Sequence, residues 1–158
     1  MAAPALAQEP QSVTLEDARI AFDGAQVVLA NSRIERRMAW NDGALATLWL
    51  GFGGSDEGWA MAGQVPDLAP LGAVQVSGEA TLALRQVAAT GLRPAHLELT
   101  VETAGQGVDV RRICLVFPKV PAIPCTIAYR GAPRAIGRSA PEGRDVIESA
   151  NLALAPQR

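Results

Sequence analysis

Three tryptophans, a few carboxylates, one histidine and two cysteines are the side chains of this sequence with chemistry to offer. Trp40, Trp49 and Trp59 present indoles on which a sugar ring can stack, since a pyranose C–H face packs well on an electron-rich π surface. Trp40 and Trp49 flank one turn, however, a placement more typical of hairpin packing. Glu98 and Glu102 fall on one face of an alternating segment, and paired acids are what glycoside cleavage requires. A row of solvated carboxylates has the same pattern. Asp56 and Glu57 are adjacent oxygen donors for a calcium ion, but the sequence nearby supplies few further ligands. No metal site and no cofactor is expected.

His96 is the only histidine. No serine, aspartate or cysteine lies close to it in sequence in the manner of a catalytic triad, so it reads as an exposed or interfacial residue. The glycine-rich run Gly51–Gly58, GFGGSDEG, lacks the Lys-Ser/Thr of a phosphate-binding loop and opens no helix. It reads as a connection between strands. Cys114 and Cys125 lie five to six residues either side of a bend centred between Lys119 and Val120. Symmetric pairing of the two flanking segments would set them face to face, ~4.5–5.5 Å apart at Cβ. Either a disulfide or two separate buried thiols satisfies that arrangement. Two cysteines and one histidine are too few for a structural zinc site.

The elements that must position these residues alternate with period two. Ile34, Arg36, Met38 and Trp40 fall on one side of a strand over 32–40, opposite Glu35, Arg37 and Ala39. Asn41-Asp42-Gly43 follows as a tight-turn signal, because Asn and Gly tolerate positive φ, and a second strand over 44–50 completes the hairpin. Further strands are expected over 26–30, 59–63, 81–88, 96–102 and 108–117. The most regular is 96–102, with Leu97, Leu99 and Val101 against His96, Glu98 and Thr100. The run RRICLVFPKVPAIPCTIAYR over 111–130 repeats the scheme as strand, proline-bracketed bend and strand. Residues 65–73, with two prolines and no period, read as a connecting excursion. Short helices are expected at most over 13–18 and 146–153. The fold class is therefore all-β, an antiparallel β-sandwich.

The 158 residues suffice for one sandwich core but not for a typical (β/α)8 barrel of roughly 250 residues. Hydrophobic residues make up 49% of the chain and its net charge is −2, which argues against disorder and against a nucleic-acid partner. All but one of the 14 basic residues are arginine, but they are scattered and read as solvated faces. No apolar run approaches the ~20 residues of a membrane span. Residues 1–10 read as a signal-peptide remnant or flexible tail and 11–158 as the sandwich. Ala5-Leu6-Ala7 before Gln8 has the small-x-small form of a signal-peptidase site, so a periplasmic or secreted location is expected, one in which a disulfide can persist.

Two longer motifs carry a family resemblance. NSRIERRMAWNDGALATLWL, residues 31–50, resembles the opening strand pair of the N-terminal β-sandwich in bacterial α-galactosidase-like (melibiase-type) glycoside hydrolases. Glu57-Gly58-Trp59 and then Pro66-Asp67 sit where those proteins carry a Glu-Trp element and a Pro-Asp stretch. Phe117–Ile123, FPKVPAI, resembles the core of their strand–YPGVPAI–strand hairpin. The anchors span residues 26–131. They depart from the family pattern at Lys119, Cys114 and Cys125, which suggests a lineage-specific disulfide.

The resemblance implies a galactose-mutarotase-like supersandwich that supports a catalytic barrel of the same parent protein and holds no catalytic residues of its own. Trp40, Trp49 and Trp59 are the candidate contacts to a galactoside-like carbohydrate. Leu152, Leu154 and uncovered tryptophans are the candidate surface for barrel docking or self-association. The alternatives are a free-standing carbohydrate-binding module and a mutarotase-like epimerase, the latter weakened by the single histidine, since that chemistry pairs a His with a Glu.

Overall fold

The computed structural model describes residues 9–41, 43–61, 67, 80–104, 108–131 and 154–157. These form two antiparallel sheets and, among the described residues, no helix. The larger sheet runs β1 (Gln11–Leu15), β2 (Ala18–Phe22), β3 (Gln26–Ala30), β4 (Glu35–Asn41), β5 (Ala44–Gly51) and β6 (Gly58–Met61) in chain order. It ends on β11 (Leu154–Gln157). The smaller sheet is the meander β7 (Ala80–Val87), β8 (His96–Ala104), β9 (Val108–Val116) and β10 (Cys125–Gly131).

Alternation decides which side chains meet. Ile20, Phe22, Val27, Leu29, Met38 and Leu45 from the large sheet pack against Leu82, Leu97, Leu99, Val101, Cys114 and Val116 from the small one, all nearly or fully buried. Burying one such side chain contributes about 1.5–3 kcal/mol. The segment 13–18, read from sequence as a short helix, is instead the end of β1, a turn at Glu16-Asp17 and the start of β2. Six residues are too few to separate the two periods. Glu16 adopts φ of 52°, so the chain reverses there and does not wind on. The other expected helix, 146–153, lies outside the described residues.

The expected 41–43 turn joins β4 to β5, with Asn41 paired to Ala44 and Gly43 at φ of 96°. The start of β4 is later than the alternation suggests. Asn31 Oδ1 accepts from the backbone N–H of Arg33 and Ile34, at 2.8 and 3.0 Å, and folds that stretch into a turn before β4 begins at Glu35. Register shifts between Arg37 and Met38, where Leu48 is the extra residue of β5. Alternation puts Arg36 with Met38 on one face of β4 and Leu45 with Thr47 on one face of β5, the faces turned toward the small sheet.

The two sheets pack through β1 and β2 against β7, β8 and β9. At one end of the sandwich the odd-to-even connections are stitched together. Asn31 Nδ2 donates to the carbonyls of Phe117 and Val120, at 2.8 and 2.7 Å. Asp17 accepts from the Ser32 hydroxyl and backbone N–H and from the Lys119 N–H. Three connections are thereby fixed to one another.

Candidate functional site

Each residue that the sequence singled out has a definite structural setting. Trp40 meets Phe22 edge-on at 5.9 Å and packs against the core. Trp49 lies down on its own sheet: a Cβ at Gly51 or Gly58 would come within 2.4 or 2.5 Å of its six-membered ring. The Arg37 guanidinium stacks 4.6 Å from the ring centre and is itself held by Glu35 at 2.6 Å. Both indoles are half-buried. Trp59 differs. It is 36% exposed, and its ring lies 6.3 Å from that of Phe52, which is 54% exposed, at an interplanar angle of 49°.

The strand glutamates Glu35, Glu98 and Glu102 are committed to arginines. Glu98 was expected to be solvated, but it is buried, with Arg85 at 2.6 Å and the Thr100 hydroxyl at 3.0 Å. The reason is its position on β8, flanked on both sides, where Arg85 stands directly across from it. Glu102 is half exposed and meets Arg111 at 3.2 Å, again its cross-strand neighbour. Four residues apart on one strand, the two carboxylates are anchored roughly 13 Å apart along the backbone, beyond the ~5–10 Å span that glycoside cleavage needs.

His96 is not exposed as expected. It retains 2% of its surface, beneath Phe117 with ring centres 5.0 Å apart, and Nδ1 donates to the Pro94 carbonyl at 2.9 Å. Its Nε2 has no hydrogen-bond partner among the described residues. The hairpin tip that follows β9 folds back over the start of β8 and covers it, a long-range effect that the local alternation around His96 does not reveal.

The strongest polar cluster was not read from the sequence at all. Asp67 lies between the sheets, where Oδ2 accepts from Arg36 at 2.8 Å and Arg112 at 3.0 Å. Its Oδ1 takes the Thr47 backbone N–H at 2.8 Å, and its own N–H donates to the Leu45 carbonyl. All four polar residues are largely buried, so the cluster is an ionic clasp between strands. Removing the acid would strand two cations, which costs far more than the pair contributes. Beside it Cys114 and Cys125 are joined as a disulfide, directly opposite one another on β9 and β10, with Cα atoms 4.1 Å apart. Arg36 Nη1 lies 3.8 Å from the Cys125 sulfur.

No family model, curated protein or solved structure matches this chain. Among the described residues no group of three or more His, Cys, Asp or Glu side chains is placed to hold a metal ion. No helix among them is long and apolar enough to cross a membrane. Leu152 lies outside the described residues, and Leu154 opens β11, paired with Met61.

What distinguishes the β5–β6 connection, residues 52–57, is its internal hydrogen bonding and what it exposes. Phe52 N–H donates to the Glu57 carbonyl at 3.1 Å, Ser55 N–H to the Phe52 carbonyl at 3.3 Å, and Glu57 N–H to the Ser55 hydroxyl at 3.0 Å. Gly53 sits so close to the Asn31 carbonyl that a Cβ there would be 2.0 Å from it. Phe52 was passed over in the sequence as part of a glycine-rich loop. The available signal was an aromatic residue isolated between glycines, where it has no strand face to pack on.

Proposed function

We propose that this chain is a non-catalytic β-sandwich domain of an exported glycoside hydrolase of the α-galactosidase-like type, supporting a (β/α)8 barrel carried by the same parent protein. The observation that carries the reading is the fate of the strand glutamates. Glu35, Glu98 and Glu102 are each paired with an arginine, and the buried Asp67 with two. A catalytic acid needs a proton to give and an open path to the glycosidic oxygen, and a carboxylate engaged with a guanidinium is poorly placed for either.

Two further features support the proposal. The motifs over 31–50 and 117–123 that resemble the melibiase-type sandwich fall on the β4–β5 and β9–β10 hairpins. A cross-strand disulfide suits an oxidising compartment and so fits a periplasmic or secreted protein.

Assaying the purified chain on an aryl α-galactoside tests the non-catalytic claim. The expected result is turnover indistinguishable from buffer. Turnover that disappears in Glu98→Gln or Glu102→Gln would refute it. The second reading, a carbohydrate-binding module, is favoured by the exposed Phe52–Trp59 pair alone.

A further inference from the structure

We infer that Phe52 and Trp59, with Asp56 and Glu57, form a binding corner for a single neutral pyranose, independent of any barrel. The two rings are 6.3 Å apart and inclined at 49°, which makes an open angle and not a closed stack. One pyranose ring, about as wide as an aromatic ring, fits such an angle with its C–H face on the indole and its edge against the phenyl. Trp59 is fixed by strand pairing to Leu50. Phe52 is fixed by the loop's own hydrogen bonds and by the packing of Gly53 on Asn31. Little conformational entropy is then lost when a ligand binds, which is how a small contact area yields measurable affinity.

The choice of a sugar over an apolar protein partner rests on the carboxylates. Asp56 and Glu57 lie in the same loop, are exposed, and make no side-chain hydrogen bond or ion pair among the described residues. The strand glutamates Glu35, Glu98 and Glu102, by contrast, are each paired with an arginine. Covering two unpaired carboxylates with an apolar surface would desolvate them without compensation. A polyhydroxylated ring offers hydroxyl donors to both acids while its C–H face meets the aromatics. A uronic acid or another anion would be repelled by the same carboxylates, so the corner selects neutral sugars. The inference stands apart from the domain reading, because it needs only this loop and β6.

The test is a titration of the full 158-residue chain with methyl α-galactoside, methyl α-glucoside and galacturonate, read by tryptophan fluorescence and by the shift of the Trp59 indole N–H resonance. Saturable binding of at least one neutral glycoside is expected, with galacturonate weaker. Trp59→Ala and Phe52→Ala should each weaken binding about tenfold, the loss of one stacking contact, and Trp49→Phe should leave it unchanged. Matched thermal melts of the Phe52→Ala variant keep the result interpretable, because Phe52 is half exposed and adds little to the core. No saturable shift with any neutral sugar overturns the inference, as does binding that survives both aromatic substitutions. Sedimentation showing self-association that Trp59→Ala abolishes also overturns it, by making the corner a protein interface. None of these failures bears on whether the chain hydrolyses an aryl galactoside, so the two proposals fail separately.

Discussion

Replacing Asn31 by alanine should be among the most damaging polar substitutions in this fold. The side chain is 4% exposed as part of its residue and makes four hydrogen bonds to backbone groups. It donates to the Phe117 and Val120 carbonyls and accepts from Arg33 and Ile34. Each contributes ~0.5–1.5 kcal/mol net. Partial solvation of the freed loop groups keeps the total toward the lower half of the sum, about 2–4 kcal/mol. For a chain of this size that lowers Tm by roughly 5–15 °C. Asn31→Asp is a sharper probe. It keeps the acceptor for Arg33 and Ile34 but turns the two donors into a charged oxygen facing two carbonyls, so it should cost at least as much as alanine. Urea unfolding followed by fluorescence and circular dichroism measures both. A loss below about 0.5 kcal/mol for alanine, or an Asp variant as stable as the parent, would refute the claim that this side chain binds the hairpin tip to the large sheet.

Reducing Cys114–Cys125, which closes a loop of sequence separation 11, should lower stability by about 2–3 kcal/mol, seen as a lower urea midpoint with a phosphine reductant. An unchanged midpoint would mean that strand pairing alone constrains the hairpin. Acid should loosen the stitched end. The Ser32 hydroxyl, foremost, holds the Asp17 carboxyl below its ordinary value of 3.8, and the backbone N–H groups of Ser32 and Lys119 add to this. A depressed carboxylate contributes stability that is present above its unfolded pKa and lost as pH falls through the lower folded one. Stability should therefore drop below pH 3.8, and Asp17→Asn should flatten part of that drop. Equal acid profiles for the two proteins would contradict the assignment.

The strands were legible where alternation ran for seven residues or more, and also at the five residues 26–30, which are β3 itself. Residues 35–41, 96–104 and 108–116 carry a clear inward row, and the Asn-Asp-Gly turn and the mutual register of Cys114 and Cys125 follow from local symmetry about a bend. Residues 11–22 were not legible, because two five-residue strands separated by a two-residue turn leave too short a window for any period. The burial of His96 and Glu98 and the clasp around Asp67 depend on contacts between residues far apart in sequence: Phe117 over His96, and Arg36 and Arg112 converging on Asp67. Of the three tryptophans, Trp59 is the most exposed. What separates it from Trp49 is a pair of glycines and an arginine that pin the latter flat, which spacing alone does not disclose.

The central claim, that this sandwich serves a larger exported hydrolase, is tested most directly by the size and location of the native protein. An antiserum raised against the chain and used on fractionated cells that make it should detect a periplasmic or secreted band. That band should exceed the 158-residue chain by roughly the 250 residues of a (β/α)8 barrel. A single native band matching the chain itself, or one confined to the cytosol, would contradict the account.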